Sequence, residues 1–200
     1  MISFRTLQIF LQVLFISTCY LSFRIHCHQQ QKFNHEIPNF GDPRHHFHDP
    51  MSAEFLHAHN LIRAKYGMPP LKWNQTLAEY AYEHGSKLIG NCSMVHSIGK
   101  YGENLFYGKL HHWTPTRIVE NWAQESLFFN FKAGKCATDW TQCGHFTQVV
   151  WADTVHVGCH RLKCIGLNKG YIGICNYDPP GNLLDQSPFV RKSANANAIG

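Results

Sequence analysis

Nowhere in the 200 residues do more than two lysines or arginines stand together, so the basic stripe expected of a nucleic-acid-binding chain is missing. No C-x2-C pair occurs, which argues against a thiolate zinc site. There is no H-E-x-x-H string, and no serine or cysteine stands beside an evident base. The commonest hydrolytic arrangements therefore leave no signature here. No segment repeats. The residues that are present suit a globular chain: 44% of them are apolar, which argues against disorder throughout. The length suits one domain with tails.

The N-terminus reads as an export signal over residues 1–27. Arg5 supplies a positive start, and an apolar stretch of 17 residues runs from Leu7 to Phe23 before the polar run from His26 to Lys32. A retained signal anchor is the alternative. A stretch of that length, with Gln8 and Gln12 inside it, would span a hydrocarbon core of ~30 Å only marginally. The cut is expected between Ser22 and His28. Cysteine usage agrees with export. Of eight cysteines, Cys19 and Cys27 fall in or beside the signal, and six remain, Cys92 and five more beyond residue 135. An even number in an exported chain implies three disulfides. Without Arg5 and Arg24, 16 basic residues face 13 acidic ones, a net charge of +3. That mild balance suits an anionic cell-wall or membrane surface.

Residues 28–50 are polar, proline-punctuated and histidine-rich, an expected linker. Metal capture by His45, His46 and His48 is the lesser alternative. The folded domain is expected over residues 51–189, followed by a polar tail, 190–200. Phe55, His59, Ile62 and Tyr66 recur on one face of a helix that Gly67 and Pro69-Pro70 end. His59, one turn from Arg63, reads as a buried histidine bracing the core. Leu77, Tyr80, Ala81, His84 and Leu88 mark a second helix, with Thr76 and Glu79 in the form of a capping box. Residues 91–112 read as loop with a short strand. A third helix opens at Thr114-Pro115 and carries Ile118, Trp122 and Phe129 on one stripe. Beyond Cys143, residues 148–151, 155–162 and 171–177 read as strands, the last two antiparallel neighbours. Helices first and strands later indicate an α+β layered domain. If the hairpin turn centres near Asn168, Cys159 and Cys175 face each other. Cys136 and Cys143 close a small loop, and Cys92 is left for Cys164. This is one of fifteen possible connectivities.

Several strings arrive in the order found in the CAP superfamily: His59-Asn60-x-x-Arg63, PPLKWN at 69–74, CSMVHS at 92–97, YGENL at 101–105, GHFTQVVW at 144–151, VGC at 157–159 and CNYDPPGN at 175–182. Over residues 51–189 the chain resembles that superfamily, and its last string resembles the plant pathogenesis-related protein 1 branch. The resemblance implies a three-layer α-β-α sandwich with a small antiparallel sheet. It implies a cleft lined by His96, Glu103, Glu125 and His145. One of these also stands out on physical grounds. Glu125 lies on the apolar stripe of the third helix, where a carboxylate needs a cation, a histidine or backbone donors. Two histidines and two glutamates suit zinc or acid–base work, though the sequence demands neither a cofactor nor an enzyme.

The resemblance further implies a defence-related protein whose ligand is a sterol or other lipid, taken up through an aromatic loop. Phe106, Tyr107 and Trp113 are the candidates, unless those rings merely cap the core. A metal-dependent hydrolase and a precursor of a C-terminal peptide are the competing functions. For the latter, the implied cut falls between Asp178 and Pro179, with a second needed after Phe189. Pro179 to Phe189 is expected to resist regular structure and stay accessible. Asn74-Gln75-Thr76 is a glycosylation sequon; Asn91-Cys92-Ser93 is a second that a disulfide would disfavour. The expected protein is a monomer in the extracellular space, or in the vacuole if the tail directs sorting.

Overall fold

The computed structural model describes residues 49–109, 112–165 and 170–190. The export signal, the histidine cluster at 45–48 and most of the tail lie outside them.

Asp49 opens the first helix, α1 (Pro50–Lys65), by accepting hydrogen bonds from the amides of Met51 and Ser52. The cap satisfies two of the amides that a helix start leaves unpaired. The inward face of α1 carries Phe55, Ala58, His59 and Arg63. Asn60 then clasps the chain beyond the prolines: its amide nitrogen donates to the Leu71 carbonyl (3.1 Å) and its oxygen accepts from the Leu71 amide (2.7 Å). This clasp sets the two-residue strand β1 (Lys72–Trp73) beside the sheet.

The second helix, α2 (Gln75–Leu88), is capped earlier than the sequence suggests. Asn74, not Thr76, accepts from the Leu77 amide at 3.2 Å. Asparagine in extended backbone is as good a cap as threonine, so the Thr76–Glu79 pattern falls inside the helix. Asn74, the glycosylation candidate, is thus half-buried and committed to capping through its oxygen.

The segment read as mostly loop holds a seven-residue strand, β2 (Gly102–Gly108). Helix α3 (Pro115–Gln124) starts at Thr114, which caps it. It tightens into a 3-10 turn over Glu125–Phe128, so Phe129 belongs to a small hairpin of β3 (Phe129–Asn130) and β4 (Lys135–Cys136). A 3-10 turn, Trp140–Gln142, leads into α4 (Gly144–Val149). The run at 148–151, expected as a strand, is therefore the last turn of a short helix and its exit. Its valines and tryptophan are buried from every side, and a short apolar run does not distinguish buried helix from strand. The long strands β5 (His156–Lys163) and β6 (Tyr171–Asp178) complete the domain.

The sheet runs β1-β5-β6-β2, antiparallel except for β1 against β5. Side chains on the sheet divide between two cores. Cys175 and Tyr177 join Phe55, Ile118, Trp122 and Phe146 beneath α1, α3 and α4. Ile172 and Ile174 join Ala81, Leu88 and Leu105 beneath α2. That alternation, the period of two of a strand, makes three layers, α-β-α. The approach of α2 is close at Gly158, where a Cβ would run into the backbone of Asn74, Leu77 and Ala78. Three disulfides crosslink the domain: Cys92–Cys164, Cys136–Cys143 and Cys159–Cys175, the last between paired strands of the sheet. Among the described residues no helix is long and apolar enough to cross a membrane.

Candidate functional site

Two imidazole–carboxylate pairs flank the edge strand β2. In the first, His96 Nδ1 meets Glu103 Oε1 at 2.8 Å. Glu103 also accepts from the Ser97 amide (2.9 Å), the Ser97 hydroxyl (2.6 Å) and Asn176 Nδ2 (3.2 Å). Burial alone would raise the Glu103 pKa. The hydrogen bonds from His96, Ser97 and Asn176 outweigh it and hold the carboxyl at about 2. The Glu103 side chain is 5% exposed, and that of His96 is 55% exposed. The pair thus joins an anchored carboxylate to an accessible ring.

In the second pair, His145 Nδ1 meets Glu125 Oε1 at 2.6 Å. Glu125 Oε2 accepts from the amides of His145 (2.9 Å) and Phe146 (3.3 Å), which open α4. The carboxylate on the apolar stripe is therefore satisfied by a histidine and by backbone donors. The 3-10 turn at the end of α3 aims it there. Trp122, one turn earlier, stacks on the His145 ring with an interplanar angle of 22°. Asn104, next to Glu103 on β2, donates to the His145 carbonyl at 3.0 Å and ties the second pair to the strand carrying the first.

In both pairs the carboxylate takes Nδ1 and leaves Nε2 as the outer nitrogen of the ring. A carboxylate on one ring nitrogen orients the other toward a metal. Histidine Nε2 is a usual zinc ligand, but among the described residues His96, Glu103, Glu125 and His145 do not gather into a group of three or more metal donors. The motifs carry Asn104 and Asn176 within GENL and CNYD, but only the fold makes them partners of the pairs. Ser97 had no sequence signal beyond its place after His96.

His59 belongs to the core. Its Nδ1 lies 2.8 Å from the Phe55 carbonyl and its Nε2 2.9 Å from the Tyr177 hydroxyl. Cys159 and Cys175 come near it, but they are joined in a disulfide, so the three form no metal site. Burial, aided by the Arg63 charge and opposed by the bond to Phe55, lowers the His59 pKa to about 4.

These two shifts make stability depend on pH. Both the His59 and Glu103 pKa values are lower folded than unfolded, so the unfolded chain binds more protons and stability rises with pH. The His59 contribution is complete above its ordinary 6.5 and fades as pH falls toward 4. The Glu103 contribution is complete above 4.5 and is lost as pH falls through about 2. Urea unfolding at pH 7 and pH 4 should differ by on the order of 3 kcal/mol through His59 alone. A His59→Gln variant should show a correspondingly shallower slope. Equal slopes in the two proteins would refute the assignment.

The expected aromatic loop is corrected by the fold. Phe106 and Tyr107 lie on β2, and Phe106 is core. Trp113 packs over Phe106 with ring centroids 4.6 Å apart. Pairing of the strand at the sheet edge turns these rings onto the two cores, which residues of a free loop would escape. Large exposed apolar side chains occur elsewhere, Trp140 and Leu184 among them. Both line a groove of about 680 Å³, together with Phe129, Thr147, Trp151 and Leu183 among others. Its outer wall is the segment after Asp178. Residues 182–186 are exposed and lack regular structure, but Pro188 is buried and Phe189 packs against Phe129 (5.6 Å) and Tyr66 (6.2 Å). Pro179, at the start of the expected peptide, and residues 182–186 are thus accessible, while Pro188 at its far end is not.

The cysteine-rich secretory protein family model, CAP, matches residues 56–177. The chain belongs to the CAP family. This CAP chain is 46% identical over 136 residues to pathogenesis-related protein 1B of Nicotiana tabacum, covering 68% of its own length and 79% of the relative's. It is 40% identical over 138 residues to pathogenesis-related protein 1 of Arabidopsis thaliana, covering 68% and 81%. These relatives place it in the plant pathogenesis-related protein 1 branch, and it is a defence-related CAP protein. Among solved structures, it resembles Schistosoma mansoni venom allergen-like protein 4 (TM-score 0.54, 25% identity, 72% and 96% covered). It also resembles BmVAL-1 (TM-score 0.59, 21% identity, 74% and 86% covered). The latter likeness is one of fold.

Proposed function

We propose that this CAP protein is exported and contributes to defence by sequestering a sterol or chemically related lipid, which would harm a microbe unable to make its own. The observation that carries this reading is a groove whose lining includes Phe129, Trp140, Trp151, Leu183 and Leu184. Its volume, about 680 Å³, falls within the ~300–1,000 Å³ of small-molecule sites. Trp140 is 70% exposed and Leu184 is 92% exposed. Such side chains side by side mark a binding surface more often than a bare exterior. Three disulfides and an apolar N-terminal stretch support export.

Direct binding of cholesterol to the purified mature protein tests the reading. Removing a ring that a ligand would bury should weaken binding by roughly 1.5–3 kcal/mol. Trp140→Ala should therefore lose at least about tenfold in affinity. Ile98→Ala, at a fully exposed position outside the groove, should bind as the parent does. Absence of cholesterol binding, or equal binding by Trp140→Ala, would overturn the assignment of the groove.

A further inference from the structure

The outer wall of the groove is a strap held at two ends and free between them. At its near end, the Asp178 carbonyl accepts from the Val155 amide (3.1 Å) and the Pro179 carbonyl from the Thr154 hydroxyl (2.9 Å). The Gly181 amide donates to Gln148 Oε1 at 2.9 Å. Asn182 then docks on α4 by both ends of its amide: Nδ2 donates to the Gly144 carbonyl (2.8 Å), and Oδ1 accepts from the Thr147 hydroxyl (2.7 Å). At the far end, the Pro188 carbonyl accepts from the Ala152 amide at 2.8 Å. The Phe189 ring closes an aromatic cluster with Tyr66, Phe129, Phe131 and Phe146. Between these anchors, Leu183 to Gln186 are exposed, and the Gln186 amide donates to the Leu183 carbonyl (3.2 Å), a bond internal to the turn. Asn182 and Asp185 both take positive φ, 56° and 57°, a conformation uncommon for residues other than glycine. The anchors, not intrinsic preference, therefore set the shape of the strap.

The same four residues, Leu183 to Gln186, line the groove. One short segment is thus both a wall of the cavity and a stretch open to a protease. We infer that occupancy of the groove and integrity of the strap are coupled. A sterol seated against Leu183 and Leu184 holds the strap closed and shields its backbone. A cut in the strap removes the outer wall and releases the ligand. The chain has no cysteine beyond Cys175, so no disulfide retains the severed end. This regulation rests on the lipid reading of the groove, and linkage makes it reciprocal: whatever factor the ligand contributes to strap closure, closure contributes to ligand affinity.

Limited proteolysis of the full mature chain with thermolysin, which cuts before exposed leucine and isoleucine, tests the coupling. Cleavage before Leu183 and Leu184 is followed by mass spectrometry, with the exposed Ile98 as an internal control and cholesterol binding measured on the same sample. Saturating cholesterol should slow the strap cuts by about tenfold, within the usual span of coupling between sites, and leave the Ile98 cut unchanged. Phe189→Ala, outside the groove lining, should speed the strap cuts and weaken cholesterol binding together. Cholesterol that binds without slowing the strap cuts overturns the coupling and leaves the lipid reading standing. No binding at all overturns both.

Discussion

Arg63→Met should destabilise the domain by about 4 kcal/mol or more, the upper end for a single substitution. Arg63 is fully buried on α1, with no exposed surface. Its guanidinium donates to four carbonyls: Pro69 (2.7 Å), Val149 (3.0 Å), Trp151 (2.8 Å) and Thr154 (3.3 Å). One planar fork thereby joins the turn after α1, the end of α4 and the chain entering β5. Methionine fills similar space but removes a donor from all four carbonyls, of which the Pro69 carbonyl is part-buried and the Trp151 carbonyl keeps the Thr154 amide (3.2 Å); each buried acceptor left unpaired costs roughly 1–3 kcal/mol less whatever relaxation recovers. Lysine would keep the charge without the fork geometry, so Arg63→Lys should recover only part of the loss. Thermal unfolding with the disulfides intact measures this. A fall in Tm of under about 5 °C for Arg63→Met, near 1 kcal/mol for a domain of this size, would show that the carbonyls find other donors.

The second large effect belongs to Cys92–Cys164, which joins residues 72 apart. In the chain-entropy account, a crosslink stabilises by restricting the unfolded chain, and the gain grows with the loop enclosed. That account assigns about 4 kcal/mol to Cys92–Cys164 and about 2 kcal/mol to Cys136–Cys143, whose separation is 7. The first bridge also ties the end of α2 to the end of β5, where Cys92 and Cys164 are both buried. The double variant Cys92→Ser/Cys164→Ser should therefore unfold at lower urea than Cys136→Ser/Cys143→Ser, by about 2 kcal/mol. Equal destabilisation of the two variants would refute the ranking.

Much of this fold could be read in the chain, though unevenly. The face of α1 was legible because Phe55 and His59 recur at helical spacing and the glycine and prolines beyond them stop it. The β5–β6 hairpin was legible because its strands are long, and Cys159 and Cys175 occupy partner positions in its register. By contrast, β2 lies in a glycine-rich stretch whose pairing depends on β6, some 70 positions away, so local pattern hid it. Residues 148–151 misled for the opposite reason: when every side of a segment is buried, its periodicity vanishes. The capping-box pattern at Thr76 failed because Asn74, two positions earlier, was in extended backbone and reached the Leu77 amide first.

Sequence alone determined the family, the α+β class, the presence of three disulfides and the identity of the two histidines and two glutamates. These rest on residue type, order and local spacing, which the linear chain carries in full. Only the tertiary structure decided how those four side chains are held. Glu103 depends on Ser97 nearby and on Asn176 from β6, and Glu125 depends on the opening amides of α4. Tertiary structure also turned Phe106 inward and brought the Trp140 turn against residues 182–188 to form the groove. Those contacts join residues tens of positions apart, and no local spacing encodes them. They exist only once burial of the two cores, on either face of one sheet, has brought the elements together.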